Sequence, residues 1–491
     1  MRQQQVEPHA SILIESMRNI GYSLHTALAD IIDNSIAAGA SEIDIFVDST
    51  GASPKLCVVD NGHGMSELEL LEAMRLGTKN PMTERSSHDL GRFGLGLKTA
   101  SFSQCRRLTV VSRKERDVSC ACWDLDKVAE TNKWYVDFPD NISGVPWFSQ
   151  LPDTGTLVLW ENLDRIVELK NKAAESRTEL IRQIDESLEH LELVYHRYLA
   201  GEKGLKKIQI TLNGRKLTPF DPYHINHPAT QASPEETIRL SDKDILIKAF
   251  TLPHHKKVTA QEWERLAGRD GYLKNQGFYI YRKKRLIIHG TWFGLAKQAE
   301  LTKLSRVRID IPNELDFDWR IDVKKSSAQL PLVVRERLRR IIETIGSTSK
   351  RVYTSKSRLI SNDSRLPVWK RYQDKNEITY SLNSEHPVFS RFIKKLPETL
   401  KKDFEQIMEL TSATIPVDSL FSDLSATPDR LSSSMSTASL YDTVDTTLSS
   451  LLLSGLEEKQ ILDMLRMTEP FKSSWDDVEK IIEKIKRDEV Q

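Results

Sequence analysis

Asp30 and Asn34 stand four residues apart in LADIIDNSIAAGAS, where apolar positions recur at helical spacing, so the two side chains share one helix face. An amide oxygen is a ligand for Mg²⁺, a hard ion that takes oxygen donors and substrate phosphates. A carboxylate one turn away is placed to orient or deprotonate an attacking water. Asp60 closes the apolar run KLCVVD and precedes Asn-Gly-His-Gly. A buried carboxylate there accepts a hydrogen bond from an exocyclic amine such as that of adenine, and Gly62 and Gly64 let the backbone approach a flat ring. Gly91, Gly94 and Gly96, in GRFGLGLKTASF, open a helix. Free amides and the positive helix end then face one point, a polyphosphate cradle to which Lys98 adds charge. Each signal alone is weak. The ordered set of acid and Asn on a helix, Asp-x-Gly-x-Gly after a strand, and a glycine-rich loop about 30 residues on specifies a nucleotide site.

The elements that must position these residues follow from periodicity. Residues 10–40 read as helix, SEIDIFVDS and KLCVVD as strands, and Glu67–Leu76 as a short helix. RRLTVVSRK, DVSCACWDL and GTLVLWEN read as strands, followed by one long helix from about Leu169 to Leu199. IQITLNGRKL predicts a hairpin turning at Asn213-Gly214. ILIKAFTL, GFYIYRKKRLIIHG and RVRIDIP are further strands, and Pro331 to about Thr348 is helical. Phe421 to Ser450 holds nine Ser and five Thr, which is linker composition, and two amphipathic helices follow it.

The chain has 491 residues, with 70 basic and 70 acidic side chains. Its length predicts several domains, and no run of about 18 apolar residues suggests a membrane span. The amino terminus lacks a signal-peptide pattern, so a cytoplasmic protein is expected. Four scattered cysteines, Cys57, Cys105, Cys120 and Cys122, predict buried free thiols rather than a disulfide framework or zinc site. Zero net charge hides an asymmetry. Lys274–Arg308 carries nine basic residues and one acidic, and 321–358 ten and three, while 362–491 has 17 basic and 23 acidic. The basic middle is a candidate nucleic-acid footprint. No P-loop, H-E-x-x-H or restriction-type nuclease core is present.

The motif set resembles the GHKL ATPase superfamily of gyrase, the ninety-kilodalton heat-shock chaperone, histidine kinases and MutL. DNSIAAGAS and LGTKNP bring it nearest the MORC and MutL branches. The resemblance implies a Bergerat-fold α/β sandwich, a mixed sheet with helices on one face, that binds ATP and Mg²⁺. It implies Asn34 as the magnesium ligand and Asp60 as the adenine acceptor, beside Gly62, Gly64 and Met65. It assigns Gly77 and Thr78 to nucleotide binding, the run Gly91, Arg92, Phe93, Gly94, Leu95, Gly96, Leu97 and Lys98 to the ATP lid, Thr156 to a Gly-Thr pair at the domain's end, and Asp30 to catalysis. Two departures stand out. Most ATP-hydrolysing relatives have Glu at the position of Asp30, and Asp is shorter by about 1.5 Å. A misplacement of about 1 Å costs on the order of a hundredfold in rate, so slow or partner-stimulated turnover is expected. Ala37 replaces an Asp of MutL-like chains.

The same resemblance implies an ATPase domain over 1–205 and a basic, ribosomal-protein-like α+β transducer over 206–345. The transducer would send Lys325, or its neighbour Lys324, to the γ-phosphate. A mixed or helical region over 346–420, a linker over 421–450 and a helical module over 451–491 complete the expected organisation. The function implied is an ATP-gated homodimeric clamp on DNA, with helicase-like or nuclease partners, in defence, restriction or DNA maintenance. A heat-shock-type chaperone and a type IIB topoisomerase-like ATPase subunit are the alternatives. A histidine kinase would need a phosphoacceptor helix ahead of the ATPase domain, and this domain starts by about residue 10.

Overall fold

Strand-forming runs of Val, Ile and Leu build two separate sheets in the first 350 residues, and a smaller helical unit follows. The computed structural model describes residues 8–19, 21–50, 53–77, 96–165, 173–315, 319, 329–354, 366–373, 378–417, 419–420 and 435–489. Two compact units divide at Lys350.

The first sheet has seven strands: β1 (Glu42–Asp48), β2 (Lys55–Asp60), β3 (Arg107–Lys114), β4 (Asp117–Asp124), β5 (Gly155–Glu161), β6 (Gln209–Leu212) and β7 (Arg215–Lys216). Their order is β4-β3-β5-β2-β1-β6-β7. Only the β1–β6 pairing is parallel. The helices here are α1 (Ala10–Arg18), α2 (Leu24–Ala37), α3 (Glu67–Met74), α4 (Gly96–Phe102), α5 (Leu125–Thr131), α6 (Ala173–Val194) and α7 (His196–Ala200). Ile14, Leu28, Ile32, Phe102, Leu191 and Val194 from the helices share one core with Ile43, Val58, Val110 and Trp160 from the strands. On the other face Cys57, Val111, Leu157 and Leu159 lie under Ile142, Val145, Trp147 and Phe148. All four cysteines are buried and free.

Three expectations change here. The single helix over 10–40 is two, because the chain turns at Gly21 with φ +84. The long helix ending at Leu199 breaks at Tyr195, whose φ −104 and ψ 13 leave the helical well; residues 166–172 lie outside the described part. The Asn213-Gly214 hairpin forms with φ +46 and +82, but it joins the first sheet through β1. The expected boundary between 205 and 206 therefore cuts through that sheet.

The second sheet contains β8 (Gln231–Ala232), β9 (Glu236–Leu240), β10 (Lys243–Thr251), β11 (Gly277–Arg282), β12 (Arg285–Thr291) and β13 (Ser305–Ile311), ordered β12-β11-β13-β10-β8 with β9 beside β10. Between its strands run α8 (Ala260–Ala267) and α9 (Gly271–Lys274). Val334, Leu338, Ile341 and Ile345 recur at 3–4-residue spacing on α10 (Leu332–Thr354) and pack with Ile247, Phe278 and Ile309 of the sheet.

In the second unit, β14 (Trp369–Gln373) pairs antiparallel with β15 (Ile378–Leu382), and α11 (Pro387–Lys395) and α12 (Glu398–Ala413) follow. The expected linker is helical in its second half. Thr437–Leu453 forms α13, which buries Leu440, Val444, Leu448 and Leu451 with residues of α14 (Glu458–Met467) and α15 (Trp475–Glu489). Residues 421–434 lie outside the described part.

Candidate functional site

α2 is started by Ser23, whose side chain accepts from the Thr26 amide while Thr26 accepts from the Ser23 amide. The helix packs between α4 and α6, so most of its circumference is buried. Asn34 is an exception. Its side chain is exposed on the turn that buries Asp30, Asp33 and Ser35.

Asp30 is 4% exposed, and its Oδ2 accepts a 2.8 Å hydrogen bond from the Tyr22 hydroxyl. Gly96, the first residue of α4, lies over the same oxygen: a Cβ there would stand 3.8 Å from Asp30 Oδ2. The acid and the first described residue of α4 are thus adjacent. Asp30 and Asn34, four residues apart, present a held carboxylate and an open amide along one helix face.

Asp60 ends β2 and is 6% exposed. Its Oδ1 accepts from the Gly62 amide at 2.9 Å, and its Oδ2 from the Ser35 hydroxyl at 2.8 Å. Burial pushes its pKa up, against hydrogen bonds from Gly62, Ser35 and the Thr156 backbone. A desolvated carboxylate with fixed oxygens is a directional acceptor for an amine edge. Asn61 takes the amides of Ser41 and Glu42 on its Oδ1, and the His63 amide reaches Ala38 O, so this loop is stitched to the end of α2. Behind it, the Met65 amide donates to Ser112 Oγ at 2.8 Å, and Ser112 Oγ lies 3.1 Å from Thr156 Oγ1. Asp60, Met65 and Thr156 are thereby tied into one small network.

Several predicted residues have other duties. A Cβ on Gly64, at φ +66, would stand 2.0 Å from Arg113 O, and one on Gly62 would stand 2.8 Å from Ala38 Cβ. Both glycines are constrained by close protein packing. Lys98 was expected to add charge to a phosphate cradle. Its side chain is 2% exposed, and Nζ donates at 2.8 Å to both Ala73 O and Arg75 O, carbonyls at the end of α3. It locks α4 to α3. Leu97 packs against the first core. Gly77 adopts φ +75, a left-handed backbone that glycine takes without strain, and among the described residues nothing lies within 4 Å of where its Cβ would be. Thr78, Gly91, Arg92, Phe93, Gly94, Leu95, Lys324 and Lys325 lie outside the described residues.

Sequence reasoning missed Tyr22, Ser35 and Ser112. Ser35 follows Asn34 directly in the motif, and a small hydroxyl residue at that place was the available signal. Tyr22 precedes the helix, and Ser112 sits on a strand remote in sequence, so neither carries a local signature.

The donor set fits a magnesium ion. Among the described residues no cluster of three His, Cys, Asp or Glu side chains could hold a metal. An ion at this place would be held by the open Asn34 amide oxygen, with water and substrate phosphates as its other ligands, which suits Mg²⁺.

The basic run 274–308 is largely consumed within the protein. Arg285 faces Asp33, Lys284 faces Glu202, Arg308 pairs with Glu235 and Asp310, Lys303 with Glu300 and Lys274 with Asp270. Buried Arg306 caps the Pro222 and Leu266 carbonyls. The charge that reads as a nucleic-acid stripe in sequence is, for Lys284, Arg285, Lys303, Arg306 and Arg308, neutralised or used for capping within the fold, while Lys274 and Asp270 form an exposed pair.

Residues 22–147 match the family model described as histidine kinase-, DNA gyrase B-, and HSP90-like ATPase. The ATPase MORC2B of Mus musculus is 33% identical over 100 residues, 20% of this chain and 10% of that protein. The DNA mismatch repair protein MutL of Leptospira biflexa is 37% identical over 95 residues, 19% of this chain and 15% of that protein. The human ATPase MORC2 is 29% identical over 100 residues, 20% of this chain and 10% of that protein. The aligned part thus spans only 10–15% of the length of these curated relatives. With Asp30, Asn34 and Asp60 gathered around α2 inside the matched region, the chain carries a GHKL-type ATPase domain, similar to those of MORC ATPases and MutL.

Proposed function

We propose that this protein binds ATP with Mg²⁺ between α2, the Asp60 loop and the segment from Gly77 to α4, and hydrolyses it to ADP and phosphate. The observation that carries this reading is the shared turn of α2: Asp30 held by Tyr22 under Gly96, with Asn34 open beside it. Asp60 receives the adenine amine. Asp30 orients the attacking water and accepts its proton. Asn34 holds the ion, which neutralises phosphate charge when bound. Lys325, or Lys324, supplies a further charge to the γ-phosphate.

We propose further that nucleotide gates a homodimeric clamp on DNA, in a defence, restriction or DNA-maintenance system that includes helicase-like or nuclease partners. Support comes from the likeness to MORC ATPases and to a DNA mismatch repair protein. It also comes from Arg335, Arg339 and Arg340, exposed on α10 away from its buried Val334 and Leu338. Contacts of this kind are dominated by phosphate, so retention on DNA should fall steeply with salt.

Steady-state ATP hydrolysis with and without duplex DNA, beside Asp60→Asn, tests both parts. Hydrolysis stimulated by DNA and abolished in the variant is expected. ATP hydrolysis indifferent to DNA, with DNA retention indifferent to ATP and to salt, would remove the clamp. Absence of nucleotide binding by the wild type would remove the ATPase reading.

A further inference from the structure

Asp33 precedes the exposed Asn34, yet its own carboxylate is 1% exposed and turned into the protein. Its Oδ1 lies 2.7 Å from the Tyr195 hydroxyl and 3.2 Å from Arg285 Nε. The same Tyr195 hydroxyl lies 2.7 Å from Ala29 O, one turn back along α2. Tyr195 occupies the break between α6 and α7, and Arg285 is the first residue of β12 in the second sheet. The guanidinium also donates to Leu286 O and lies 5.9 Å from the Tyr195 ring centre. An element of the second sheet thus places a buried charge against the helical turn that carries Asp30 and Asn34.

The hairpin that delivers Arg285 is shaped by its dock. Its turn residues Lys283 and Lys284 have φ +50 and +65, a conformation that asparagine and glycine adopt far more readily. Such backbone persists where surroundings over-determine it. Here the Tyr198 hydroxyl donates to Lys283 O at 2.8 Å, Lys284 Nζ donates to Lys203 O at 2.8 Å, and Lys284 pairs with Glu202 at 3.2 Å. Arg197 beside them bridges Glu202 and Asp310 of β13. Moving the hairpin away from α2 would strand buried charges, which is costly. The hairpin and α2 therefore move together.

We propose that Asp33, Tyr195 and Arg285 are positioning residues, through which the β11–β12 hairpin sets the seat of Asp30 and Asn34 and so couples the second sheet to catalysis. The proposal rests on the ATPase reading for its catalytic consequence; its structural consequence is measurable without nucleotide.

Two readouts on Arg285→Gln, Arg285→Lys and the exposed control Lys216→Gln test it. The first is amide hydrogen exchange over residues 27–37 in nucleotide-free protein. Arg285→Gln should speed exchange there at least tenfold with the first sheet unchanged, Arg285→Lys should recover part of the protection, and the control should match wild type. The second is the split between ATP affinity and turnover. Arg285→Gln should lower kcat about tenfold while ATP affinity changes less than twofold, and Asp33→Asn combined with Arg285→Gln should cost less than the sum of the two. Unchanged α2 exchange in Arg285→Gln would overturn the proposal, as would equal losses in affinity and turnover. Wild-type protein that binds no ATP would instead overturn the ATPase reading, leaving the exchange result to decide the coupling.

Discussion

Asp30 is one methylene shorter than glutamate, and the Tyr22 hydroxyl is a contact that helps fix where its carboxylate ends. A hydrogen bond to a charged group is worth about 1.5–3 kcal/mol. Tyr22→Phe should therefore lower kcat about tenfold or more while ATP affinity stays near wild type, measured by steady-state hydrolysis and direct nucleotide titration; a loss confined to affinity would contradict this role. Gly64→Ala has a different consequence. Its Cβ would overlap Arg113 O at 2.0 Å in a left-handed backbone, so a destabilisation of about 2–5 kcal/mol is expected, read by thermal or denaturant melting. The contrast marks how far the site was legible. Residue types and order pointed to Asp30, Asn34 and Asp60, and the structure gathers Asp30 and Asn34 along one face of α2, with Asp60 tied to that helix through Ser35. The same glance gave Gly64 and Lys98 to the ligand, because a motif records that a glycine or lysine is required and not which neighbour requires it. Only tertiary contact shows that Gly64 meets β3 and that Lys98 meets the end of α3.

Helices and strands were legible where one periodicity held throughout, and their breaks were not. Tyr195 interrupts an otherwise helical pattern because its ring and hydroxyl are claimed by α2 and Arg285, a long-range demand without local trace. The Lys283-Lys284 turn was invisible for the same reason: neither residue signals a left-handed backbone, and the dock imposes it. Composition misled in the opposite direction at α13. Ser and Thr suggested a linker, but Leu440, Val444, Leu448 and Leu451 recur at 3–4-residue intervals and are all buried. Packing of that stripe outweighs the modest helix propensities of Ser and Thr. Val444 is fully buried among Ile461, Leu465 and Val478. Val444→Asp should cost several kcal/mol by burying an unpaired carboxylate, and should abolish exchange protection in α14 and α15. Protection that survives the substitution would mean that α13 is dispensable to this helical cluster.

At the scale of the first unit, two sheets that read as consecutive domains are joined through a buried seam of rings and charges. The family resemblance divided them at 205; the pairings of Arg285 with Asp33 and of Lys284 with Glu202 tie the second sheet back to α2 and to the turn after α7. The seam also contains histidines kept neutral by burial. His289 is lowered to about 4 by burial and by Arg306, with Asp270 opposing. His196 falls to about 3 through burial and Arg197, with Glu202 opposing, and His190 falls well below its ordinary value through burial, His25 and Arg285. An unfolded chain protonates these rings near pH 6.5, whereas the folded chain resists until far lower. For His289 and His196 the stabilising contribution is therefore full above about pH 6.5 and is lost as pH falls toward 4 and then 3, on the order of a few kcal/mol per ring, and that of His190 is lost in the same direction. Glu202 extends the trend. Burial opposes its charge, but Arg197 and Lys284 hold it at about 2, so its contribution disappears between its ordinary 4.5 and that value. Melting temperature should thus fall from pH 7.5 to pH 4.5 more steeply in wild type than in His289→Gln or His196→Gln. Identical slopes in all three proteins would place the acid sensitivity elsewhere than this seam. A flatter slope in each variant would place part of the acid sensitivity in these two buried rings.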